Sequence, residues 1–310
     1  MTKSKLHSGS LKQFEYRMNW MLTQKCNFNC RYCNTEKHHS FARVLSPEQA
    51  ASAFERTGVS WLILLTGGEP FLYPRFTELC KALTQKHTIT ITTNLSHPSV
   101  YEFAESIDPE KVLSISASFH YDELKKHNLL DDFVDKCRYL QERGFRLLVN
   151  FVAFPPHISR IEKDTDMFHK LGIETIVYGY RGMYDGKEYP QAYNKTELEF
   201  LNTYALDDTE LMIARGKMNF YGKHCHAGSR YFVMKENGDL QRCFTRPEVI
   251  GNLFEGNIPL NRGTRPCSVN TCEDYYFGRA AVTNKPASRI WLLSQKIRHI
   301  ITNKKPDRDE

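Results

Sequence analysis

The sequence predicts an α/β fold: a partial (β/α)6 TIM-like barrel, then a small cysteine-rich region and a C-terminal helix. Two observations lead to this prediction. Short apolar runs alternate with stretches of helical length over residues 1–205, which is the pattern of parallel βαβ units. The alternation then stops, and residues 206–283 contain four cysteines and many glycines. At 310 residues, the chain is long enough for one large domain with an appendage.

The predicted strands are near-continuous apolar runs, as parallel strands buried on both faces should be. They are Arg17–Leu22, Ser60–Leu65, Thr88–Thr93, Val112–Ser116, Phe145–Val152 and Ile173–Tyr178. The predicted helices between them are Pro47–Arg56, Phe76–Gln85, Ser99–Ser106, Asp131–Arg143 and Ile161–Leu171. Ser46 before Pro47 is typical of a helix N-cap, and Gly144 and Gly172 are typical of helix ends. Six units fall short of a closed eight-unit barrel, and function in such folds lies at the C-terminal ends of the strands.

The chain is therefore divided into residues 1–205 as the partial barrel, 206–283 as an auxiliary cysteine-rich domain, and 284–310 as a terminal helix and tail. In the last segment, apolar residues recur at helical spacing at Ile290, Leu293, Ile297 and Ile300. That spacing predicts an amphipathic helix that packs on the body of the protein.

Composition excludes several classes of protein. The formal charge of +6 is modest and scattered, which argues against a nucleic-acid partner. Residues 1–10 are polar, and the longest apolar run, Trp61–Leu65, is far too short to span a membrane. We therefore expect a cytoplasmic protein without a membrane partner. Nine cysteines in a reducing compartment favour metal or catalytic use over disulfides.

Three of these cysteines, Cys26, Cys30 and Cys33, follow the first strand in the segment CNFNCRYC. Iron–sulfur clusters are held by thiolates from short loops of this kind, and three ligands would leave one iron open. A zinc site is the alternative, but structural zinc needs four ligands, so His38 or His39 would have to complete it.

This CxxxCxxC segment, followed by Gly-Gly-Glu-Pro after the second strand, resembles the radical S-adenosylmethionine (SAM) superfamily over residues 15–180. The resemblance implies that Cys26, Cys30 and Cys33 hold a [4Fe-4S] cluster whose open iron chelates the amino and carboxylate groups of SAM. It implies reductive cleavage of SAM to methionine and a 5′-deoxyadenosyl radical, which abstracts a hydrogen atom from substrate. It also implies an electron donor such as flavodoxin or ferredoxin.

The same resemblance extends to residues that would contact SAM. The glycines let the backbone approach a ligand closely, and the Glu69 carboxylate suits the SAM ammonium group. An ordinary βα turn is the alternative for Gly-Gly-Glu-Pro. Family positions place an aromatic residue beside the adenine, and polar residues after the third and fourth strands beside the ribose or methionine. The cofactor-binding residues predicted in this way are Tyr32, Gly67, Gly68, Glu69, Asn94 and Ser116.

A second group of cysteines lies in the C-terminal third, at Cys225, Cys243, Cys267 and Cys272. Asn237-Gly238 predicts a hairpin turn that returns Cys243 towards Cys225, so the four thiols can form one site for a cluster or for zinc. The region resembles the SPASM extension of radical SAM enzymes, or its shorter twitch form. Four cysteines instead of seven favour twitch, with one auxiliary [4Fe-4S] cluster. The spacing of Cys267 and Cys272 leaves open a ligand from elsewhere, or an iron open to substrate.

The remaining candidates concern the substrate. Residues 178–185 follow the sixth strand and predict a substrate-contacting loop in which Arg181 binds a carboxylate or phosphate. His120, after the fourth strand, is a candidate acid or base. The alternatives are an ordinary surface loop and a structural histidine. Cys80 and Cys137 are expected to be buried apolar residues, unless one faces the barrel mouth as the hydrogen-atom donor of an epimerase.

These features favour a radical SAM oxidoreductase that dehydrogenates or epimerises a small molecule such as a sugar, an aminocyclitol or a related natural product. A radical SAM peptide or protein maturase is the first alternative. Only 25 residues precede Cys26, so a fused leader-peptide-binding domain is not expected there, although a separate partner protein would serve. A zinc-stabilised binding module without catalysis is the second alternative.

Overall fold

All six predicted strands are present in the computed structural model of the chain, which describes residues 11, 13–33, 41, 43–274, 276–286 and 288. They pair in parallel and in chain order. The strands are β1 (Tyr16–Thr23), β2 (Trp61–Gly67), β3 (Thr88–Thr93), β4 (Val112–Ser118), β5 (Leu147–Ala153) and β6 (Glu174–Gly179). The predicted partial barrel, with helices connecting successive parallel strands, is therefore confirmed.

The five predicted helices are also present, and a sixth lies between β4 and β5. The helices are α1 (Pro47–Glu55), α2 (Phe76–Thr84), α3 (Ser99–Ser106), α4 (Tyr121–Lys126), α5 (Leu130–Glu142) and α6 (Ile158–Lys170). The sequence analysis missed α4, whose first turn is acidic and last turn basic, an arrangement that stabilises the helix dipole. This short helix positions His120 at its N-cap.

The predicted helix ends have the expected geometry. Ser46 accepts a hydrogen bond at Oγ from the Gln49 amide at 3.2 Å, and Gln49 Oε1 accepts one from the Ser46 amide at 3.1 Å. This is a reciprocal capping box, which satisfies two amides that have no partner within the helix. Gly144 and Gly172 have φ values of 85° and 71° beyond the ends of α5 and α6. These left-handed conformations favour glycine.

Beyond β6, the chain adds short elements and then extends the same sheet. The elements are β7 (Gly182–Tyr184), β8 (Lys187–Tyr189), α7 (Lys195–Tyr204), α8 (Asp208–Ala214), β9 (Lys223–Cys225), β10 (Tyr231–Met234), β11 (Asp239–Cys243), β12 (Arg246–Asn252), β13 (Arg265–Pro266), α9 (Tyr276–Arg279) and β14 (Val282–Pro286). Strand β10 pairs with β1 in parallel, and β11 and β12 follow antiparallel. The result is a nine-stranded sheet in the order β12-β11-β10-β1-β2-β3-β4-β5-β6.

The predicted hairpin at Asn237-Gly238 is confirmed, and Gly238 has a φ of 90°. Because this hairpin continues the barrel sheet beside β1, the cysteine-rich region joins the barrel through backbone hydrogen bonds. A small sheet in the order β13-β9-β14 completes that region. The division at residues 205 and 283 stays a prediction.

The two faces of the sheet differ in character. Alternate strand residues such as Trp20, Ile91 and Phe151 pack with the helices in the main apolar core. On the opposite face, which we call the inner face, the side chains of β3, β4 and β5 include many hydroxyls and amides. Those that are buried are Thr90, Ser114, Ser118 and Asn150. The inner face therefore offers hydrogen-bonding groups, and Ser118 among them lies at the C-terminal end of β4, the end at which such folds place their ligands.

The remaining predictions concern the terminal segment, membrane spans and the two isolated cysteines. The terminal helix predicted through Ile290, Leu293, Ile297 and Ile300, and the histidines His38 and His39, lie outside the described residues. Within the described part, no helix is long and apolar enough to cross a membrane. Cys80 and Cys137 are fully buried in the main core, as expected of small apolar residues.

Replacing Ser46 by Ala removes one half of the capping box. We expect the free energy of unfolding to fall by about 1 kcal/mol, because an amide at the start of α1 loses its partner. Thermal unfolding followed by circular dichroism measures this change. Ser46→Asp, which keeps an N-cap acceptor, serves as the matched control; equal losses in both variants would contradict the assignment.

Candidate active site and auxiliary cysteine site

The loop carrying the first three cysteines leaves β1 at the C-terminal edge of the sheet. Phe28, in the middle of the loop, is buried and stacks on His127 with 5.7 Å between ring centroids. The Cys33 amide donates to the Cys30 carbonyl at 3.2 Å. Cys26 and Cys30 are half-buried, and Cys33 is exposed. The buried Phe28 ring thus anchors the loop, whereas its three cysteine side chains are partly or fully exposed at the C-terminal edge of the sheet.

The glycines after β2 lie against this loop. The Gly68 amide donates to the Thr23 carbonyl at 2.5 Å, and the Glu69 amide donates to the Lys25 carbonyl at 2.9 Å. A Cβ atom on Gly67 would collide with the Thr23 carbonyl, and one on Gly68 with the Lys25 carbonyl. In this structure, the close approach that requires these glycines is to the protein's own cysteine loop. Their approach to a ligand stays a prediction.

The loop after β3 holds the other side of the cysteine segment. Asn94 Nδ2 lies 3.2 Å from Asn27 Oδ1 and 3.9 Å from Cys26 Sγ. Asn27 Nδ2 donates to Ser96 Oγ at 2.8 Å. The Phe28 amide lies 3.4 Å from Cys26 Sγ, in position to donate to it. Hydrogen-bond donors to sulfur stabilise a thiolate, so the surroundings of Cys26 suit a cluster ligand.

Glu69 is fully buried and joins β2 to the end of β3. Its Oε1 accepts from Thr93 Oγ1 at 2.7 Å and from the Phe71 amide at 3.1 Å, and its Oε2 accepts from the Asn94 amide at 2.7 Å. Burial raises the pKa of Glu69 to about 7, although these hydrogen bonds and Lys136 act in the opposite direction. Its predicted contact with the SAM ammonium group stays a prediction; its contacts here position Asn94.

Lys136, which the sequence analysis did not single out, supports the same loop from beneath. Its side chain is 2% exposed, and Nζ donates to the Leu95 carbonyl at 3.0 Å and to Asp132 Oδ2 at 2.6 Å. In the sequence, Lys136 falls at helical spacing among apolar residues of α5 such as Phe133 and Leu140. That spacing was the available signal that Lys136 is buried, and a buried lysine needs a partner.

Tyr32 and His120 meet in a small pocket beside the cysteine loop. Tyr32 Oη and His120 Nδ1 are 3.0 Å apart, and the pocket is also lined by Cys30, Asp122 and Glu123. Burial, followed by the nearby Cys30, raises the pKa of Tyr32. The structure therefore brings the predicted adenine-side tyrosine and the predicted acid–base histidine into direct contact.

Ser116 lies on β4 beside a residue that the sequence analysis missed. Asn150 Nδ2 donates to Ser116 Oγ at 2.7 Å and to Ser118 Oγ at 3.1 Å. A single amide inside the apolar strand LLVNFVA was the available signal, because a buried parallel strand is otherwise apolar. Asn150 brings the polar groups of β4 and β5 together on the inner face.

The second group of cysteines converges on one cavity. Cys225, Cys243, Cys267 and Cys272 all line it, together with Tyr231 and Asp274. The Ala227 amide lies 3.4 Å from Cys225 Sγ, in position to donate to it. In the described part of the chain, no three His, Cys, Asp or Glu side chains are gathered closely enough to hold a single metal ion. The four thiols thus share one cavity, and the metal that they would hold, an iron–sulfur cluster or zinc, stays a prediction.

Burial also changes the ionisation of the groups that line this cavity. Burial raises the pKa of Cys225 to about 11 and that of Cys243 to about 12. Tyr231 Oη donates to Asp274 Oδ1 at 2.5 Å, and burial raises the pKa of Asp274 to about 6. These thiols are therefore protonated in the metal-free chain at neutral pH, and a bound metal would supply the positive charge that their thiolate forms need.

Residues 20–180, which contain both the cysteine loop and the Gly-Gly-Glu-Pro turn, match the family described as Radical SAM superfamily. The chain belongs to the radical SAM superfamily. The chain accordingly binds a [4Fe-4S] cluster and SAM. That Cys26, Cys30 and Cys33 hold the cluster stays a prediction, which the hydrogen-bond donors around Cys26 suit.

Three similar proteins extend the comparison. An S-adenosylmethionine-dependent nucleotide dehydratase from Selenomonas ruminantium is 24% identical over 169 residues, 49% of this chain and 60% of that protein. The structure of Streptococcus suis SuiB bound to S-adenosylmethionine is 21% identical with a TM-score of 0.56, covering 80% of this chain and 66% of that one. The structure of anSMEcpe with bound AdoMet is 15% identical with a TM-score of 0.57, covering 77% and 78%. This radical SAM chain thus spans less than two thirds of the first two proteins.

Arg181 has different partners from those its sequence position suggested. Its guanidinium forms an ion pair with the buried carboxylate of Glu210 at 3.2 Å and donates to the Glu273 carbonyl at 2.8 Å. Arg279 pairs with the same carboxylate at 2.5 Å. These contacts join the end of β6 to the segment after Cys272, and the anion-binding role of Arg181 stays a prediction.

Replacing Gly68 by Ala tests the close approach of the two loops. A Cβ there would displace the Lys25 carbonyl and with it the cysteine loop. We expect the first cluster to be lost, so that iron per chain falls by about four after anaerobic reconstitution. Gly58→Ala is the control: no heavy atom lies within 4 Å of its Cβ position, and the backbone strain of alanine at its φ of 70° falls in the turn after α1, so iron content should be unchanged. Full iron content in Gly68→Ala would contradict the assignment.

Glu69 should make stability depend on pH. Its folded pKa of about 7 lies above the ordinary value of 4.5, so the stabilisation is complete below pH 4.5 and is lost as pH rises through 7. From pH 4 to 8, the unfolding free energy of the metal-free natural chain should fall by about 3 kcal/mol relative to Glu69→Gln. Urea unfolding at several pH values measures this; parallel profiles would contradict it.

Proposed function

We propose that this radical SAM enzyme dehydrogenates a small hydroxylated molecule and uses a second iron–sulfur cluster, held by Cys225, Cys243, Cys267 and Cys272. The observation that carries the proposal is the shared cavity of these four cysteines, which is separate from the cysteine loop after β1. A dehydrogenation removes two electrons, whereas one hydrogen-atom abstraction removes only one. A second one-electron centre in the same chain therefore suits an oxidation.

The inner face of the sheet supports a polar substrate. Ser118 and Asn150 lie side by side on β4 and β5, and Thr90 Oγ1 donates to the Ser114 carbonyl at 2.8 Å on the neighbouring strands. Asn19 on β1 is 6% exposed, and within the described part of the chain its Oδ1 has no hydrogen-bond partner. Hydroxyls and amides of this kind can hydrogen-bond the hydroxyl groups of a sugar or cyclitol.

The proposed reaction divides between cofactors and side chains. When bound, the first cluster and SAM supply the radical that removes a hydrogen atom from a substrate carbon, and an auxiliary cluster supplies the acceptor for the remaining electron. The hydroxyl proton must then leave for a base as the carbonyl forms. His120 is our candidate for that base, and its contact with Tyr32 holds the ring in the pocket.

Dehydrogenation is favoured over cysteine-dependent epimerisation. An epimerase of that kind needs a thiol that returns a hydrogen atom to the substrate radical. Of the nine cysteines, three lie in the loop after β1 and four line the auxiliary cavity. The other two, Cys80 and Cys137, are fully buried among the apolar side chains of the helical face. Neither is placed to reach a substrate on the inner face.

A peptide or protein substrate is the second candidate. SuiB has also been seen bound to its precursor peptide SuiA, in a structure that covers 80% of this chain with a TM-score of 0.58. A fold shared over this much of the chain is the ground for a peptide as the second candidate substrate. Co-purification of a short peptide with this chain would favour that candidate. A zinc-stabilised module without catalysis is disfavoured by family membership.

Iron and sulfide analysis tests the two-cluster proposal. After anaerobic reconstitution, we expect about eight irons per chain, and about four when Cys26, Cys30 and Cys33 are replaced by Ala. Replacing Cys243 and Cys272 by Ala should also leave about four. That second variant should still cleave SAM to 5′-deoxyadenosine under a chemical reductant, because its first cluster is intact.

Cys80→Ala and Cys137→Ala are the matched controls, since both thiols are buried in the apolar core and should retain about eight irons. About four irons in the natural chain, falling to none without Cys26, Cys30 and Cys33, would overturn the second cluster while leaving the family chemistry intact.

A further inference from the structure

Arg181 is a half-buried charged group that the proposed reaction does not use. It follows β6 at the barrel mouth, yet its side chain is 11% exposed and points into protein contacts. Its Nη1 donates to the carbonyls of Cys272 and Glu273, at 3.4 and 2.8 Å, and its Nη2 lies 3.3 and 3.2 Å from the two oxygens of Glu210. The planar guanidinium thus binds a carboxylate on one side and the backbone of an auxiliary cysteine on the other.

Glu210 makes this contact rigid. Its side chain is 2% exposed, and Oε1 also accepts a hydrogen bond from the Gly179 amide at 3.0 Å. Arg279, in α9 beyond Cys272, binds its other oxygen at 2.5 Å. One buried carboxylate therefore connects the last barrel strand, α8 and the chain on both sides of Asp274. Arg279 also pairs with Asp207 at 3.7 Å, so these two arginines and two carboxylates balance in formal charge, and loss of Arg181 would leave an excess of negative charge near Cys272.

Arginine side chains also bind the segment around Cys267. Arg242 on β11 donates to the carbonyls of Arg265 and Pro266, at 3.2 and 3.4 Å. Arg246 on β12 donates to Ser268 Oγ at 2.9 Å through Nε. The segment from Arg265 to Glu273 contains only a two-residue strand, and backbone hydrogen bonds tie it to residues 220–225 at Cys267, Asn270 and that strand. Arginines from neighbouring elements hold it at the residues next to each cysteine.

We propose that Arg181 is a positioning residue of the auxiliary cluster, which fixes Cys272 against the barrel and adds positive charge beside the cluster. The inference rests on the auxiliary cluster of the proposed function. A cluster with four thiolate ligands gains negative charge on reduction, and nearby cations favour the more negative state. Loss of Arg181 should therefore weaken the hold on iron and also lower the reduction potential of the cluster.

The test uses the chain in which Cys26, Cys30 and Cys33 are Ala, so that all remaining iron belongs to the auxiliary site. Arg181→Met in this background should lose iron to a chelator about tenfold faster, as is typical when a residue supporting a metal ligand is lost. The midpoint potential, from redox titration followed by electron paramagnetic resonance, should shift to a more negative value. Arg143→Met, at a surface ion pair with Glu105, is the matched control and should change neither quantity.

Arg181→Lys keeps the positive charge but lacks the planar guanidinium group. It is the variant to measure if Arg181→Met does not fold. We expect it to lose iron faster than the parent while holding the potential closer to the parent value than the Met variant. Unchanged iron loss and potential in Arg181→Met, or unchanged iron loss in Arg181→Lys, would overturn the inference. A parent chain that binds no iron would instead overturn the auxiliary cluster itself.

Discussion

The site depends on the close approach of two backbones. Gly67 and Gly68 allow the end of β2 to lie against the carbonyls of Thr23 and Lys25, where any side chain would collide. The amides of Gly68 and Glu69 then pair with the chain that leads into the cysteine loop. Because the parallel strands end at one edge, this contact places Cys26 near Asn94 on the next strand's loop. The cysteine loop and the polar loops thus form one unit.

Buried carboxylates organise both cysteine sites. Glu69 receives three hydrogen bonds that tie β2 to the end of β3, and Glu210 receives two arginines that tie β6 to the segment around Cys272. A buried charge is costly unless its partners satisfy it, so each carboxylate strongly restricts the groups around it. The first cysteine loop and the second cysteine cavity are each positioned by such a group.

The nine-stranded sheet connects these two sites. Since β10 pairs in parallel with β1, the strand that leads into the first cysteine loop is also the neighbour of the hairpin that carries Cys243. Glu236, in the turn of that hairpin, accepts a hydrogen bond from the Gln24 amide just before the first cysteine. The first cysteine loop and the strand that carries Cys243 therefore belong to one sheet, as the proposed pair of one-electron centres would require.

The sequence by itself determined the alternating strands and helices, the two cysteine groups and the turn glycines, because these follow from local periodicity, spacing and the conformations that glycine allows. Helix α4 escaped prediction because it is short and lacks a long apolar repeat. Only the tertiary structure decided the partners of Arg181, Lys136 and Asn150. The guanidinium of Arg181 and the amide of Asn150 bind residues that are distant in the chain and come close only in the folded structure. Sequence spacing therefore does not predict these contacts.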